Sequence, residues 1–290
     1  MTASRLSWVI RLTIICLGLT LLPIEPADAA DDDDRNVIRL AYTGWSSALA
    51  STHVVKIILE RELAYSVELR ELSVAAVWKA LAAGEADVTV AAWLPYTHAP
   101  YYKQFRDQVV DLGPNLRGAR VGLVVPEYVP ISAIPELNDV GHRFRNEIIG
   151  IDPDAGLMLA TQRAMEAYDI DMNLTPGSEN SMLSVLAHKA KRMEWVVITG
   201  WSPHWMFRRW DLKYLDDPDG VYGRREFINT VVRADLAADR PGAYRFLDRF
   251  HWTPADISKV MIQVADGAAP EEAAAQWIDN NPLKVGQWLR

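Results

Sequence analysis

Cysteine is almost absent from this chain, and its scarcity excludes several kinds of chemistry. The only cysteine among the 290 residues is Cys16, which lies in an N-terminal segment that we expect to be removed. A mature chain without cysteine can form no disulfide and can offer no thiol nucleophile. The chain is long enough to bury a large core, so we expect it to fold without such cross-links.

The sequence motifs of the common enzyme classes are also missing. The chain contains no GxGxxG, Walker, GxSxG or HExxH motif, and its six histidines show no metal-ligand spacing. We therefore predict that the protein is not an enzyme, with no catalytic residues, no cofactor and no metal site.

A basic excess and a membrane-spanning segment are lacking as well. Acidic residues outnumber basic ones by 38 to 30, for a formal charge of −8, which argues against a nucleic-acid partner. The N-terminal apolar run, Leu12 to Leu22, is too short to cross a bilayer. Because Arg5 and Arg11 precede it and Ala27-Asp28-Ala29 follows, we predict a signal peptide over residues 1–30, cleaved near residue 29 or 30. A soluble, monomeric protein of the periplasm is expected.

The rest of the chain alternates strand and helix patterns. Two units of order βαβαβ are predicted, one from Asn36 to Trp93 and the other from Glu147 to Gly200, which indicates an α/β protein with parallel sheets. Predicted helices include Ser46–Leu63, Val74–Ala83, Asp154–Tyr168 and Glu179–Lys191.

Each unit is expected to form one lobe, and two extended segments are expected to join the lobes. Such lobes can close around a ligand. They are Ala119–Val125 and Phe227–Arg233. Three proline-initiated helices are predicted after them and should pack on the first lobe: Pro241–Phe250, Pro254–Ala265 and Pro270–Leu289. The predicted borders are residues 36–122 and 234–290 for lobe 1 and residues 123–233 for lobe 2.

Tryptophan follows three of the predicted strands at the edge where α/β sheets bind ligands. These residues are Trp45, Trp93 and Trp201. Any one of them could simply pack in the core, but a core residue belongs along a strand, not at its end. Three indole faces suit a quaternary ammonium group, which has no N–H to donate. At roughly 2 kcal/mol per desolvated contact, three give about 6 kcal/mol, whereas micromolar binding needs about 8. A second anchor is required.

The turn Gly150-Ile151-Asp152-Pro153 can supply an anchor for an anionic group. Asp152 before Pro153 predicts an N-cap and a first-turn proline, which would place the amides of Gly150 and Ile151 at a helix N-terminus. The alternative is an ordinary capped helix start. His98, five residues after Trp93, is a further candidate donor, although a lone histidine is often structural.

These stretches resemble the substrate-binding proteins of ABC importers for glycine betaine and related compatible solutes. The resemblance rests on AYTGWSSALAST, AAWLPYTH, GLVVPEY, IIGIDPDAGLM, ITGWSPHWMFRRWDLKYLDDP and FHWTPADISKVM, which span almost the whole mature chain. It implies a two-lobed periplasmic binding protein fold of type II, with two parallel-sheet lobes joined by two crossing strands.

The same resemblance implies roles for the candidate residues. Trp45, Trp93 and Trp201 would surround the methylated nitrogen, while the amides of Gly150 and Ile151 and the side chain of His98 would hold the carboxylate. It also implies as partners a small quaternary ammonium ligand and a membrane permease with its ATPase.

Other interpretations remain open at this stage. The ligand could be choline, carnitine or trimethylamine oxide. Choline-type relatives carry an acidic residue after the first tryptophan, whereas Ser46 and Ser47 follow Trp45 here, which favours a zwitterion. The chain could also serve as a sensor, or as an exported enzyme for which His98 and Asp154 are the nearest candidate dyad.

Overall fold

The computed structural model describes residues 36–290, so the predicted signal peptide lies outside the described residues. The first lobe opens with the predicted alternation of strands and helices. Its elements are β1 Val37–Tyr42, α1 Ser46–Leu63, β2 Ser66–Glu71, α2 Val74–Ala82, β3 Val88–Leu94 and α3 Ala99–Phe105. Strands β2, β1 and β3 are adjacent and parallel.

A single long strand, β4 (Val109–Pro126), leads from the first lobe into the second. Up to Ala119 it pairs with the later strand β9 (Glu226–Arg233), and from Arg120 it pairs with β7 (Ile198–Ser202). A bulge with Gly118 at φ +83° lies just before this change of partner, in a conformation that glycine adopts readily. The predicted crossing strand is therefore the second half of β4.

The second lobe repeats the alternation. Two short 3-10 turns and the helix α4 (Leu137–Val140) come first; then follow β5 Glu147–Ile149, α5 Gly156–Ala167, β6 Asn173–Thr175, α6 Glu179–Lys191, β7, α7 Met206–Arg209 and β8 Leu212–Tyr214. Strands β7, β5 and β6 are parallel, and β8 pairs with the end of β4. The sheet order is β2-β1-β3-β9-β4-β7-β5-β6.

The return segment predicted at Phe227–Arg233 lies in β9, which sits between β3 and β4 in the sheet of the first lobe. The chain has thus already returned to the first lobe by Glu226. The borders of the two lobes remain a proposal, and the pairings favour a border near residue 226 over one after residue 233.

The C-terminal segment is helical and packs on α1, as expected. Its helices are α8 Leu236–Asp239, α9 Pro241–Arg249, α10 Pro254–Ala265, α11 Pro270–Asp279 and α12 Pro282–Trp288. The prediction of one helix over Pro270–Leu289 is wrong, because Pro282 lacks the N–H that an interior helical residue needs. It begins a new helix instead.

This architecture confirms the expected α/β fold with two lobes. Of the two predicted crossing strands, β4 pairs with strands of both lobes, whereas β9 pairs only with β3 and β4 in the sheet of the first lobe. The four strands whose ends carry the predicted turns, β1, β3, β5 and β7, each have a parallel neighbour. Within residues 36–290, no helix is both long and apolar enough to cross a membrane.

Candidate functional site

An apolar cavity lies between the lobes, at the strand ends where the sequence predicts a ligand site. This inner cavity encloses about 310 Å³, part of it open to solvent, and is lined by Trp45, Trp93, Thr97, His98, Val121, Ile151, Ala155, Gly156, Leu157 and Trp201. Five of the six predicted site residues are brought together here, and the exception is Gly150. The lining contains no carboxylate and no lysine or arginine.

The three tryptophans reach the inner cavity from both lobes. Trp45 follows β1, Trp93 lies near the end of β3 and Trp201 lies in β7. Trp93 and Trp201 are buried, whereas Trp45 is half-buried. The Trp45 indole donates a hydrogen bond of 2.8 Å to Asp152 Oδ2 in the other lobe. Asp152 does not line the inner cavity. Its hydrogen bond therefore holds the Trp45 ring in place from outside that cavity.

His98 lines the inner cavity and carries a neutral ring donor. Its Nδ1 accepts the backbone N–H of Trp93 at 3.1 Å, so the ring proton is assigned to Nε2. Complete burial lowers the pKa of His98 to about 3, which keeps the imidazole uncharged near neutral pH. Nε2 is buried and finds no hydrogen-bond partner within residues 36–290. An unpaired buried donor is costly, and an anionic ligand group would satisfy it.

The turn at Gly150 differs from its prediction. Helix α5 begins at Gly156, with Ala155 as its N-cap, so the prediction of Asp152 as N-cap is wrong. Asp152 instead starts a tight turn in which its carbonyl accepts the amide of Ala155 at 2.9 Å.

The two predicted amides of this turn are not equivalent. The Gly150 amide donates to the carbonyl of Thr175 at 2.8 Å, which pairs the turn with β6. The Ile151 amide faces only the weak acceptor Met158 Sδ, at 3.4 Å. Of the two, Ile151 therefore has the donor that a stronger acceptor could recruit.

Sequence reasoning missed the remaining lining residues: Thr97, Val121, Ala155, Gly156 and Leu157. Thr97 is anchored by Glu226, which accepts both its amide and its hydroxyl. The AWLPYTH and DAGLM stretches contain four of the five, so motif neighbours could have signalled them. Val121 becomes a lining residue only because β4 crosses between the lobes.

The histidine of the GWSPHW stretch serves the turn and not the inner cavity. His204 Nδ1 accepts the amide of Met206 at 3.0 Å, and Nε2 lies 3.0 Å from Glu179 Oε1. Its ring meets Trp201 edge-on, with 4.6 Å between centroids, and stacks on Trp205. His204 thus supports Trp201 from behind.

A second space, the outer cleft, lies on the other side of Trp45. It encloses about 870 Å³ including open solvent, and it contains the carboxylates of Glu71, Asp152, Asp154 and Glu179. Asp154 is therefore separated from His98, which lines the inner cavity, and the two form no dyad. Within residues 36–290, no group of three or more His, Cys, Asp or Glu side chains could hold a metal ion.

The chain is similar to known substrate-binding proteins. Residues 36–280 match the family model described as the substrate-binding domain of the ABC-type glycine betaine transport system. The structure of lactococcal OpuAC in its closed-liganded conformation with glycine betaine is 40% identical, with a TM-score of 0.84 over 88% of this chain and 100% of that one. The glycine/betaine/L-proline-binding protein ProX from Borrelia burgdorferi is 35% identical, with a TM-score of 0.85 over 88% of this chain and 97% of that one.

A curated relative shares a shorter stretch. The glycine betaine/carnitine transport binding protein GbuC of Listeria monocytogenes is 50% identical over 153 residues, 52% of this chain and 51% of that protein. The chain thus aligns with about half the length of this relative. The resemblance inferred from the sequence motifs is confirmed, and the family is one of transport proteins, not enzymes. The chain belongs to the family of substrate-binding domains of ABC-type glycine betaine transport systems.

Proposed function

We propose that this protein captures glycine betaine, or a related quaternary ammonium zwitterion, in the periplasm and delivers it to a membrane permease with its ATPase. The observation that carries the proposal is the inner cavity itself, where indoles from both lobes line one space without charged side chains. Such a space favours a cation that cannot donate hydrogen bonds. Desolvation between the lobes strengthens each cation–π contact.

The carboxylate of the ligand would be held at the other end of the inner cavity. His98 Nε2–H is a buried donor without a partner in the described chain, and the Ile151 amide has only a sulfur acceptor. Two N–H donors suit one carboxylate. Gly150 would not act as a donor, because its amide already donates to the carbonyl of Thr175. It would act through the turn, where a Cβ would lie 2.4 Å from Met158 Sδ.

The charge balance of the inner cavity favours a zwitterion over choline. No carboxylate lines it, so a bare cation would gain the indole contacts but no counter-charge. A zwitterion brings its own anion to His98. Carnitine, proline betaine and trimethylamine oxide share the required chemistry and remain the alternatives.

An enzymatic role is disfavoured by the state of His98. A general base works best with a pKa near the ambient pH, whereas burial lowers the pKa of His98 to about 3. Its Nδ1 is also occupied by the amide of Trp93. A sensor would use the same cavity, so a permease and ATPase encoded nearby would favour transport.

Calorimetric titration of the purified protein tests the proposal. The ligands are glycine betaine, choline, carnitine, proline betaine and trimethylamine oxide, with unmethylated glycine as the control. We expect micromolar or tighter binding of a methylated zwitterion and none of glycine. Failure of all five methylated compounds to bind would reject the function.

A further inference from the structure

The longest helix of the first lobe has no N-terminal cap of its own. Helix α1 begins at Ser46, its N-cap residue Trp45 makes no side-chain capping bond, and its first turn contains no acidic residue. The first amides of a helix lack intrahelical partners and carry partial positive charge. A cap must therefore come from elsewhere or from water.

The cap comes from the other lobe. Glu179, the first residue of α6, accepts the Ser46 amide at 2.9 Å through Oε2 and the Ser46 hydroxyl through Oε1. The Trp205 indole also donates to Ser46 Oγ, at 3.3 Å. All these contacts cross the cleft between the lobes, so they exist only when the lobes are closed.

Glu179 is held for this role within its own lobe. It is buried, and His204 Nε2 lies 3.0 Å from its Oε1. Burial raises the pKa of the Glu179 carboxyl, but the hydrogen bonds from His204 and Ser46 outweigh that effect and keep the pKa below its ordinary value. The group is thus a fixed carboxylate aimed at the start of α1.

We infer that Glu179 is a cross-lobe cap of α1 that stabilises the closed, ligand-holding state without touching the ligand. This inference rests on the proposed function. Glu179 lines the outer cleft, whereas the ligand would lie in the inner cavity. Because Ser46 directly follows Trp45, the capping bonds fix the backbone that carries one wall of the cage. Glu179 is therefore a positioning residue.

The substitution Ser46→Pro removes both capping donors, and with the hydroxyl it also removes the acceptor of the Trp205 indole, so every cross-lobe bond of Ser46 is lost. Proline lacks the amide hydrogen, has no hydroxyl, and is favoured at the first position of a helix. The residue before a proline must be extended, and Trp45 already has φ −77° and ψ 144°. The control is Ser184→Ala, since Ser184 bonds only the Asn180 carbonyl of its own exposed helix face.

Ligand release is the first measurement. Stopped-flow tryptophan fluorescence with glycine betaine would give association and dissociation rates. We expect Ser46→Pro to release the ligand at least tenfold faster, with association within about twofold, because the lost bonds form only on closure. Glu179→Gln, which keeps the side chain's size and loses its charge, should change release in the same direction by a smaller factor. Ser184→Ala should match the parent.

Lobe closure is the second measurement. Cys16 is the only cysteine and lies in the predicted signal peptide, so residues 31–290 accept dyes solely at Glu62→Cys in α1 and Lys191→Cys in α6. Energy transfer between these exposed sites should show a smaller closed fraction for Ser46→Pro at equal ligand saturation.

The outcomes separate this inference from the proposed function. If the parent protein neither binds nor closes with glycine betaine or the other methylated compounds, both fall. If the parent closes but Ser46→Pro and Glu179→Gln release ligand at the parental rate, only the cross-lobe cap is overturned. If Ser46→Pro fails to fold, Glu179→Gln decides alone.

Discussion

The Cβ position of Gly156 lies 2.1 Å from the carbonyl oxygen of Thr97 in the opposite lobe. Thr97 follows β3 and its amide and hydroxyl are bound by Glu226, so its backbone cannot easily retreat. Both residues line the inner cavity. The two lobes thus meet at a point where only a glycine fits.

Gly156→Ala should hold the lobes apart. Overpacking of this kind costs about 1–3 kcal/mol, so we expect ligand affinity to fall roughly five- to 150-fold in calorimetry. The thermal midpoint of the ligand-free protein should not decrease, because alanine is a good helix former. Gly286→Ala in α12 is the matched control, since a Cβ there meets nothing within 4 Å. Unchanged affinity in Gly156→Ala would refute this role.

Trp93→Leu should weaken binding by about 2 kcal/mol or more, because leucine retains apolar bulk but has no π face. Circular dichroism would verify folding before titration. Trp195→Leu is the control, as Trp195 packs against Phe144 and Arg143 outside the inner cavity. Equal losses of affinity in the two variants would show that Trp93 makes no special contact with the ligand.

Asp152→Ala should reduce affinity by about 1 kcal/mol, or roughly fivefold, by releasing the Trp45 indole from its 2.8 Å hydrogen bond. Asp154→Ala removes the same charge from the same outer cleft and should bind like the parent. If the two substitutions have equal effects, cleft charge and not indole orientation explains them.

The burial of His98 should make the free energy of unfolding depend on pH. Its pKa is about 3 in the folded protein against an ordinary 6.5, so the unfolded chain binds more protons between these values. The free energy of unfolding should therefore fall as the pH drops below about 6.5 and be unaffected by His98 above it. Urea denaturation at about pH 7 and about pH 4.5 should show a larger loss for the parent than for His98→Gln. Equal losses would contradict a buried neutral His98.

The sequence was informative wherever the function depends on local pattern. Tryptophan at three strand ends predicted where Trp45, Trp93 and Trp201 meet, because parallel strands place their carboxyl ends on one edge. The break before Pro282 also has a local signal, because a proline cannot occupy a helix interior without loss of a hydrogen bond.

Contacts between distant segments were beyond a local reading of the sequence. The Gly150 amide donates to the carbonyl of Thr175 only because β6 lies beside that turn. The bond from Ser46 to Glu179 forms only when the two lobes close. No local sequence pattern indicates that these two residues meet. The proposed lobe border near Glu226 likewise depends on which strands pair.

The most direct test of the central claim compares glycine betaine with tert-butylacetate, in which carbon replaces the quaternary nitrogen and the shape is retained. Both compounds offer the same carboxylate to His98 and the same methyl groups to the indoles, but only the betaine carries a positive charge. Cation–π contacts of about 0.5–2 kcal/mol each predict that glycine betaine binds at least tenfold more tightly in calorimetric titration. Equal or tighter binding of tert-butylacetate would contradict an aromatic cage for a cation.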